Sequence, residues 1–95
     1  MLEQRNHARV KTRLAVQLEA GRGVARDLSA GGIYFVTEVP LKVGEPLSFR
    51  LEFPKPLGIC AACSARILRV EKRGKLKGVA ASINRITLYA PAGKA

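Results

Sequence analysis

Apolar and polar residues alternate without a break from Val10 to Glu19. Val10, Thr12, Leu14, Val16 and Leu18 fall on one side, and Lys11, Arg13, Gln17 and Glu19 on the other, with Ala15 among them. A period of two belongs to a half-buried β-strand. The same signal returns along the chain. Gly21-Arg22-Gly23 reads as a hairpin turn, with Val24–Leu28 as the returning strand. Ile33–Thr37 reads as a short continuous apolar strand, and Leu47, Phe49, Leu51 and Phe53 alternate with Ser48, Arg50 and Glu52 in another. A long strand is expected from about Ile59 to Glu71. Its alternation slips between Ile67 and Leu68, which predicts a bulge. Lys72-Arg73-Gly74-Lys75 is a charged turn, and Leu76–Ile83 closes the sheet with Val79, Ala81 and Ile83 facing inward. Evenly spaced strands without a long helical period predict an all-β sandwich or barrel, and closure would protect the strand edges.

A chain of 95 residues is one domain, or one module of a longer chain, with room for one modest core. Its 17 Lys and Arg against 7 Asp and Glu give a net charge of +10, which calls for an anionic partner without choosing among nucleotide, nucleic acid, acidic protein or membrane surface. The five aromatics are Tyr34, Phe35, Phe49, Phe53 and Tyr89. Three sit in apolar strand patterns and read as core, so the interleaved basic and aromatic surface of a single-strand nucleic-acid binder is poorly supported. Met1-Leu2-Glu3-Gln4-Arg5 carries no apolar signal-peptide core, and no apolar run approaches the length of a membrane span. A cytoplasmic location is the expectation.

Two motifs carry the chemistry. Arg5-Asn6-His7-Ala8-Arg9 offers two guanidiniums four residues apart, and Asp27-Leu28-Ser29-Ala30-Gly31-Gly32 is a strand-end turn with a carboxylate, a hydroxyl and two glycines. Arginine's planar fork matches a phosphate, or the O6/N7 edge of guanine, with two bonds, and it stacks on a purine face. Asp27 can accept from the guanine N1–H and N2–H₂ donors, or it can order the turn. Ser29 can donate to a phosphate, or it can cap the backbone locally. Gly31 and Gly32 are expected to reach φ > 0 and to let backbone N–H groups approach an anion. Together the two motifs suit a ligand that carries both phosphates and guanine edges.

The order R-x-x-x-R, then seventeen residues from Val10 to Arg26, then D-x-S-x-x-G, resembles the PilZ family of bacterial cyclic di-GMP receptors. The likeness extends from about Arg5 to Ile83 and includes Gly32-Ile33-Tyr34, Val43-Gly44-Glu45-Pro46-Leu47 and Gly78-Val79-Ala80. It implies a six-stranded antiparallel β-barrel over residues 10–84. It also implies a flexible ligand-gripping segment over residues 1–9 and a tail over residues 85–95 with little or no C-terminal helix. Position by position, it implies a cyclic di-GMP site made of Arg5, Arg9, Asp27, Ser29 and Gly32. Gln4 occupies the position that biases ligand stoichiometry in the family. The chain departs from the family pattern at Ala81, where an aromatic is common, and in its short end after Ile83, which leaves room for a brief helix or an extra strand. The implied function is a receptor module without catalysis that signals to a downstream protein partner. The alternatives are a PilZ-type interaction module that binds no nucleotide, or a small basic nucleic-acid-binding barrel.

Other candidates are weaker. Cys60-Ala61-Ala62-Cys63 has C-x-x-C spacing but no second pair, and His7 is distant in sequence. A redox motif belongs at a helix start, whereas in a regular strand these thiols point to opposite faces and pack as small apolar residues. No metal site, cofactor or enzyme is expected, since His7 has no second histidine or carboxylate pair to work with. Lys72, Arg73, Lys75 and Lys77 read as a solvated basic hairpin tip.

Overall fold

A computed structural model describes residues 10–90. Six antiparallel strands close into a barrel in the order β1-β2-β3-β6-β5-β4. They are β1 (Val10–Leu18), β2 (Gly21–Ser29), β3 (Gly32–Thr37), β4 (Pro46–Glu52), β5 (Cys60–Arg73) and β6 (Leu76–Tyr89). The architecture is the one the alternating pattern and the PilZ resemblance predict. Every strand is paired on both sides, so the closed sheet leaves no exposed edge along its paired length.

The inward positions of each strand meet in one core. Leu14, Val16 and Leu18 of β1 pack with Phe35 of β3, Leu47, Phe49 and Leu51 of β4, Ala65 and Ile67 of β5, and Val79 and Ala81 of β6. Phe35 and Phe49 lie with ring centroids 6.2 Å apart. Thr37, the one buried polar side chain among the described residues, is satisfied. Its Oγ1 donates to the Arg22 carbonyl at 2.6 Å and accepts from the Val39 N–H at 3.1 Å. Burial of such a group without partners would carry a heavy desolvation cost.

Several local expectations need correction. Gly21-Arg22-Gly23 is strand, and the β1–β2 turn is Glu19-Ala20, with Leu18 paired to Gly21. The glycines serve close packing here. A Cβ on Gly23 would lie 2.7 Å from the Val36 carbonyl oxygen, and one on Gly21 would lie 2.8 Å from a Val39 methyl. Ile33–Thr37 is strand as expected, and its burial alternates along β3. Tyr34 and Val36 face the outside and are half-covered. β6 does not stop at Ile83 but continues to Tyr89, pairing with Cys60–Ser64 of β5. The β5–β6 turn is Gly74-Lys75 between paired Arg73 and Leu76. Gly74 has φ 67°, and among the described residues no non-glycine residue has positive φ. Positive φ at the first central residue alone is the demand of a II′ hairpin, which twists with the strands.

Cys63 sits in the core, and burial pushes its thiol up to about 11. Cys60 lies outside that cluster, paired with Glu52 and Tyr89 and lining an outer groove with Ala15. The two free thiols therefore occupy opposite sides of the sheet. Among the described residues, no helix is long and apolar enough to cross a membrane, and no group of three His, Cys, Asp or Glu could hold a metal.

Candidate functional site

Three of the sheet's four register shifts, those of β2 against β3 and of β5 against β6, decide which side chains leave the barrel interior. In β2, Ala25 pairs with Phe35 and Asp27 with Tyr34, so Arg26 has no opposite residue in β3. Ala25 and Leu28 face the core, while Asp27 and Ser29 line an outer cleft. Without this extra residue the period of two would send Asp27 inward. In β5, Ile67 pairs with Ala81 and Arg69 with Ala80, leaving Leu68 as the bulge. Its position is the one the slip in alternation predicts. Beyond it Val70 packs toward the core, and Arg69, Glu71 and Arg73 line the same outer cleft as Asp27. The third shift, at Asn84 of β6, keeps Ile86 and Leu88 on the inward side, where they join Leu14, Leu28, Leu51 and Phe53 around an apolar hollow of about 550 Å³ at one mouth of the barrel.

The outer cleft is an open trough of about 790 Å³. One row of paired residues crosses it from strand to strand: Asp27 on β2, Tyr34 on β3, Ala80 on β6 and Arg69 on β5. Three strand spacings make this row about 14 Å long. Its floor is built from small residues, with Gly32, Ala80 and Ser82 among its lining. One wall is the β2–β3 hairpin with Asp27 and Ser29, and the other is the stretch Leu68–Arg73 of β5.

Tyr34 lies across the floor. A Cβ on Gly78 would overlap the Tyr34 hydroxyl directly, so Gly78 makes the space in which that hydroxyl sits. There it accepts from Arg73 Nη1 at 3.0 Å and donates to Glu71 Oε1 at 3.4 Å. Glu71 Oε2 accepts from Arg69 Nε at 2.8 Å. Four side chains from β3 and β5 thus hold one another on the trough wall. The slip at Leu68 is legible in the sequence, but what brings Arg69, Glu71 and Arg73 beside Tyr34 is the pairing of β5 with β6 and of β6 with β3, which alternation does not reveal.

The D-x-S-x-x-G motif is the β2–β3 hairpin itself, with turn residues Ala30 and Gly31. Ser29 pairs with Gly32, and the Ser29 hydroxyl donates to the Gly32 carbonyl at 3.4 Å. Asp27, Ser29 and Gly32 therefore come together on one wall. The expected role of the glycines is corrected. Neither Gly31 nor Gly32 has positive φ; among the described residues only Gly44, Gly58 and Gly74 do. Gly32 instead permits close packing, since a Cβ there would stand 3.3 Å from the Ala81 carbonyl oxygen. Ala81, where the family favours an aromatic, faces the core. Arg5 and Arg9 lie outside the described residues. The chain enters the barrel beside the trough, with Val10 paired to Leu28 and Lys11 to Asp27.

Among solved structures, the chain is similar to the Bacillus subtilis inhibitor of motility (MotI/DgrA), with a TM-score of 0.76 and 20% identity over 90% of this chain and 45% of that one. That likeness is one of fold, and this chain spans less than half the length of that protein. No curated protein matches significantly. The family model of the PilZ domain matches residues 3–90, a span that takes in both motifs and all six strands, and the chain therefore belongs to the PilZ domain family.

Proposed function

We propose that this domain is a cyclic di-GMP receptor module that performs no chemistry of its own and passes ligand occupancy to a partner protein in the cytoplasm. The observation that carries this reading is that the second motif lines the trough and that β1, the strand that follows the first motif in the chain, begins beside it. Asp27, Ser29 and Gly32 stand on its wall, and the segment bearing Arg5 and Arg9 joins β1 opposite Asp27 and Leu28. Arg9 is one residue from the paired Val10, and Arg5 is five residues from it, within about 18 Å of extended chain. Both guanidiniums are therefore within reach of a ligand in a trough about 14 Å across. Arg5 and Arg9 grip guanine edges and phosphates, Asp27 accepts from a guanine Watson–Crick edge, and Ser29 donates to a phosphate. Ordering of the arginine segment against the barrel changes the surface that a partner reads.

Two charge-assisted bidentate contacts with stacking can supply about −8 kcal/mol, the free energy of a ~1 μM complex. Calorimetric titration of the purified chain with cyclic di-GMP, GTP and a short RNA tests the reading. Saturable binding of cyclic di-GMP at micromolar or tighter affinity is expected. The absence of heat and saturation at high ligand would end it. The net charge of +10 favours nucleic acid as a second reading. Nucleic-acid affinity would collapse with salt through counterion release, whereas a guanine-reading pocket shows a shallower slope.

A further inference from the structure

The trough has a basic wall that neither sequence motif contains. We propose that Arg69 and Arg73 of β5 form a second phosphate-binding element, and that Glu71 between them is its resident anion, displaced when a phosphate diester binds. The proposal rests on the reading of this trough as the cyclic di-GMP site and assigns it a residue set beyond Arg5, Arg9, Asp27, Ser29 and Gly32.

The bulge at Leu68 turns Arg69, Glu71 and Arg73 outward together, at alternate positions of one strand face. Bulges of this kind re-aim side chains beside functional sites. The two arginines are already ordered toward the trough, Arg69 by Glu71 at 2.8 Å and Arg73 by the Tyr34 hydroxyl at 3.0 Å. Neither is held tightly. The Arg69–Glu71 pair is 61% and 41% exposed, and ion pairs so accessible to water contribute little. Among the described residues Arg73 has no carboxylate partner; its hydrogen bond is to the Tyr34 hydroxyl. A phosphate presents two acceptor oxygens to a guanidinium fork, so it offers Arg69 a bidentate partner in place of the single Nε contact. The wall faces Asp27 and Ser29 across about 14 Å. A ligand with two phosphates can then set one of them against β5 while the other lies toward Asp27 and Ser29.

The charge on Glu71 fixes the sign of the test. A carboxylate that merely props up Arg69 would weaken binding when neutralised. A resident anion competes with the ligand and repels it, so its neutralisation tightens binding. Calorimetry with cyclic di-GMP on the full chain compares wild type with Arg69→Ala, Arg73→Ala and Glu71→Gln. The two alanine variants are expected to weaken binding about tenfold each, and Glu71→Gln to tighten it about threefold. Wild-type affinity in both alanine variants, or weaker binding by Glu71→Gln, overturns the proposal. If wild type itself binds no cyclic di-GMP, the receptor reading falls, and inorganic pyrophosphate then decides the fate of the β5 wall. Pyrophosphate-dependent NMR shifts of the Arg69 and Arg73 side-chain Nε–H signals, saturating at lower concentration in Glu71→Gln, uphold it. Unmoved signals refute it.

Discussion

Gly78→Ala separates the trough from the core because its clash is confined to side-chain ends. A Cβ at Gly78 overlaps the Tyr34 hydroxyl and stands 3.0 Å from Arg73 Cδ, while no backbone atom is among its nearest contacts. The Tyr34 ring and Arg73 must therefore swing away, giving up the hydrogen bonds at 3.0 and 3.4 Å. Two partly exposed bonds at about 1 kcal/mol each amount to a loss of ~2 kcal/mol. Gly78 does not have positive φ, so alanine fits the backbone and restricts the unfolded chain, which returns ~0.4–1 kcal/mol. The net destabilisation is ~1 kcal/mol, a melting temperature lower by about 4–8 °C for a domain of this size. On the receptor reading, the displaced ring and arginine also disturb the trough and weaken cyclic di-GMP binding about tenfold, or 1.4 kcal/mol. Thermal unfolding by circular dichroism and calorimetric titration measure the two effects. A double-mutant cycle checks the cause: in a Tyr34→Ala background the loss from Gly78→Ala should disappear. If the loss persists there at full size, the overlap with Tyr34 is not its source.

Three other outcomes are expected. Arg9→Ala should abolish cyclic di-GMP binding and Arg5→Ala should weaken it severely, while Arg9→Lys should not restore it, because lysine lacks the planar fork; wild-type affinity in Arg9→Lys would show that charge alone suffices. Competition should favour cyclic di-GMP over cyclic di-AMP by at least about tenfold, since adenine presents an amine donor where guanine presents the O6 acceptor, a mismatch of 1.4 kcal/mol or more; equal affinities would refute guanine readout. The Cys63 thiol, raised by burial to about 11 from an ordinary 9.0, stabilises the fold fully below pH 9, and that contribution is lost as pH rises toward 11, because the unfolded chain ionises first; melting temperature should fall less steeply over that window in Cys63→Ala than in wild type, and parallel curves would exclude Cys63 as a cause.

The barrel is legible in the sequence because each strand covers one face and solvates the other. That physical demand is written residue by residue into Val10–Leu18, Pro46–Glu52 and the first half of β5. The bulge at Leu68 was legible for the same reason, as a slip in the alternation. Glycine misled the reading where its purpose was non-local. Gly21 and Gly23 looked like a turn, yet they exist because Val39 and the Val36 carbonyl come close from β3 and the segment after it. Arg85–Tyr89 alternates on its own, but the shift at Asn84 puts Ile86 and Leu88 out of phase with Val79, Ala81 and Ile83, so its continuity with β6 is decided by pairing with Cys60–Ser64.

Local order in the chain thus specified an all-β barrel and the two motifs, since periodicity and motif spacing are properties of neighbouring residues. The trough belongs to the tertiary structure. Asp27, Tyr34, Ala80 and Arg69 come from four strands and share one row only because of register, and the bulges at Arg26 and Leu68 set on which side of the sheet the row's outer members stand. Register is fixed by how the whole barrel buries its core, because a one-residue slip would exchange the inner and outer faces. The Tyr34–Glu71–Arg69–Arg73 wall follows from that same packing, between residues up to 39 positions apart in the chain.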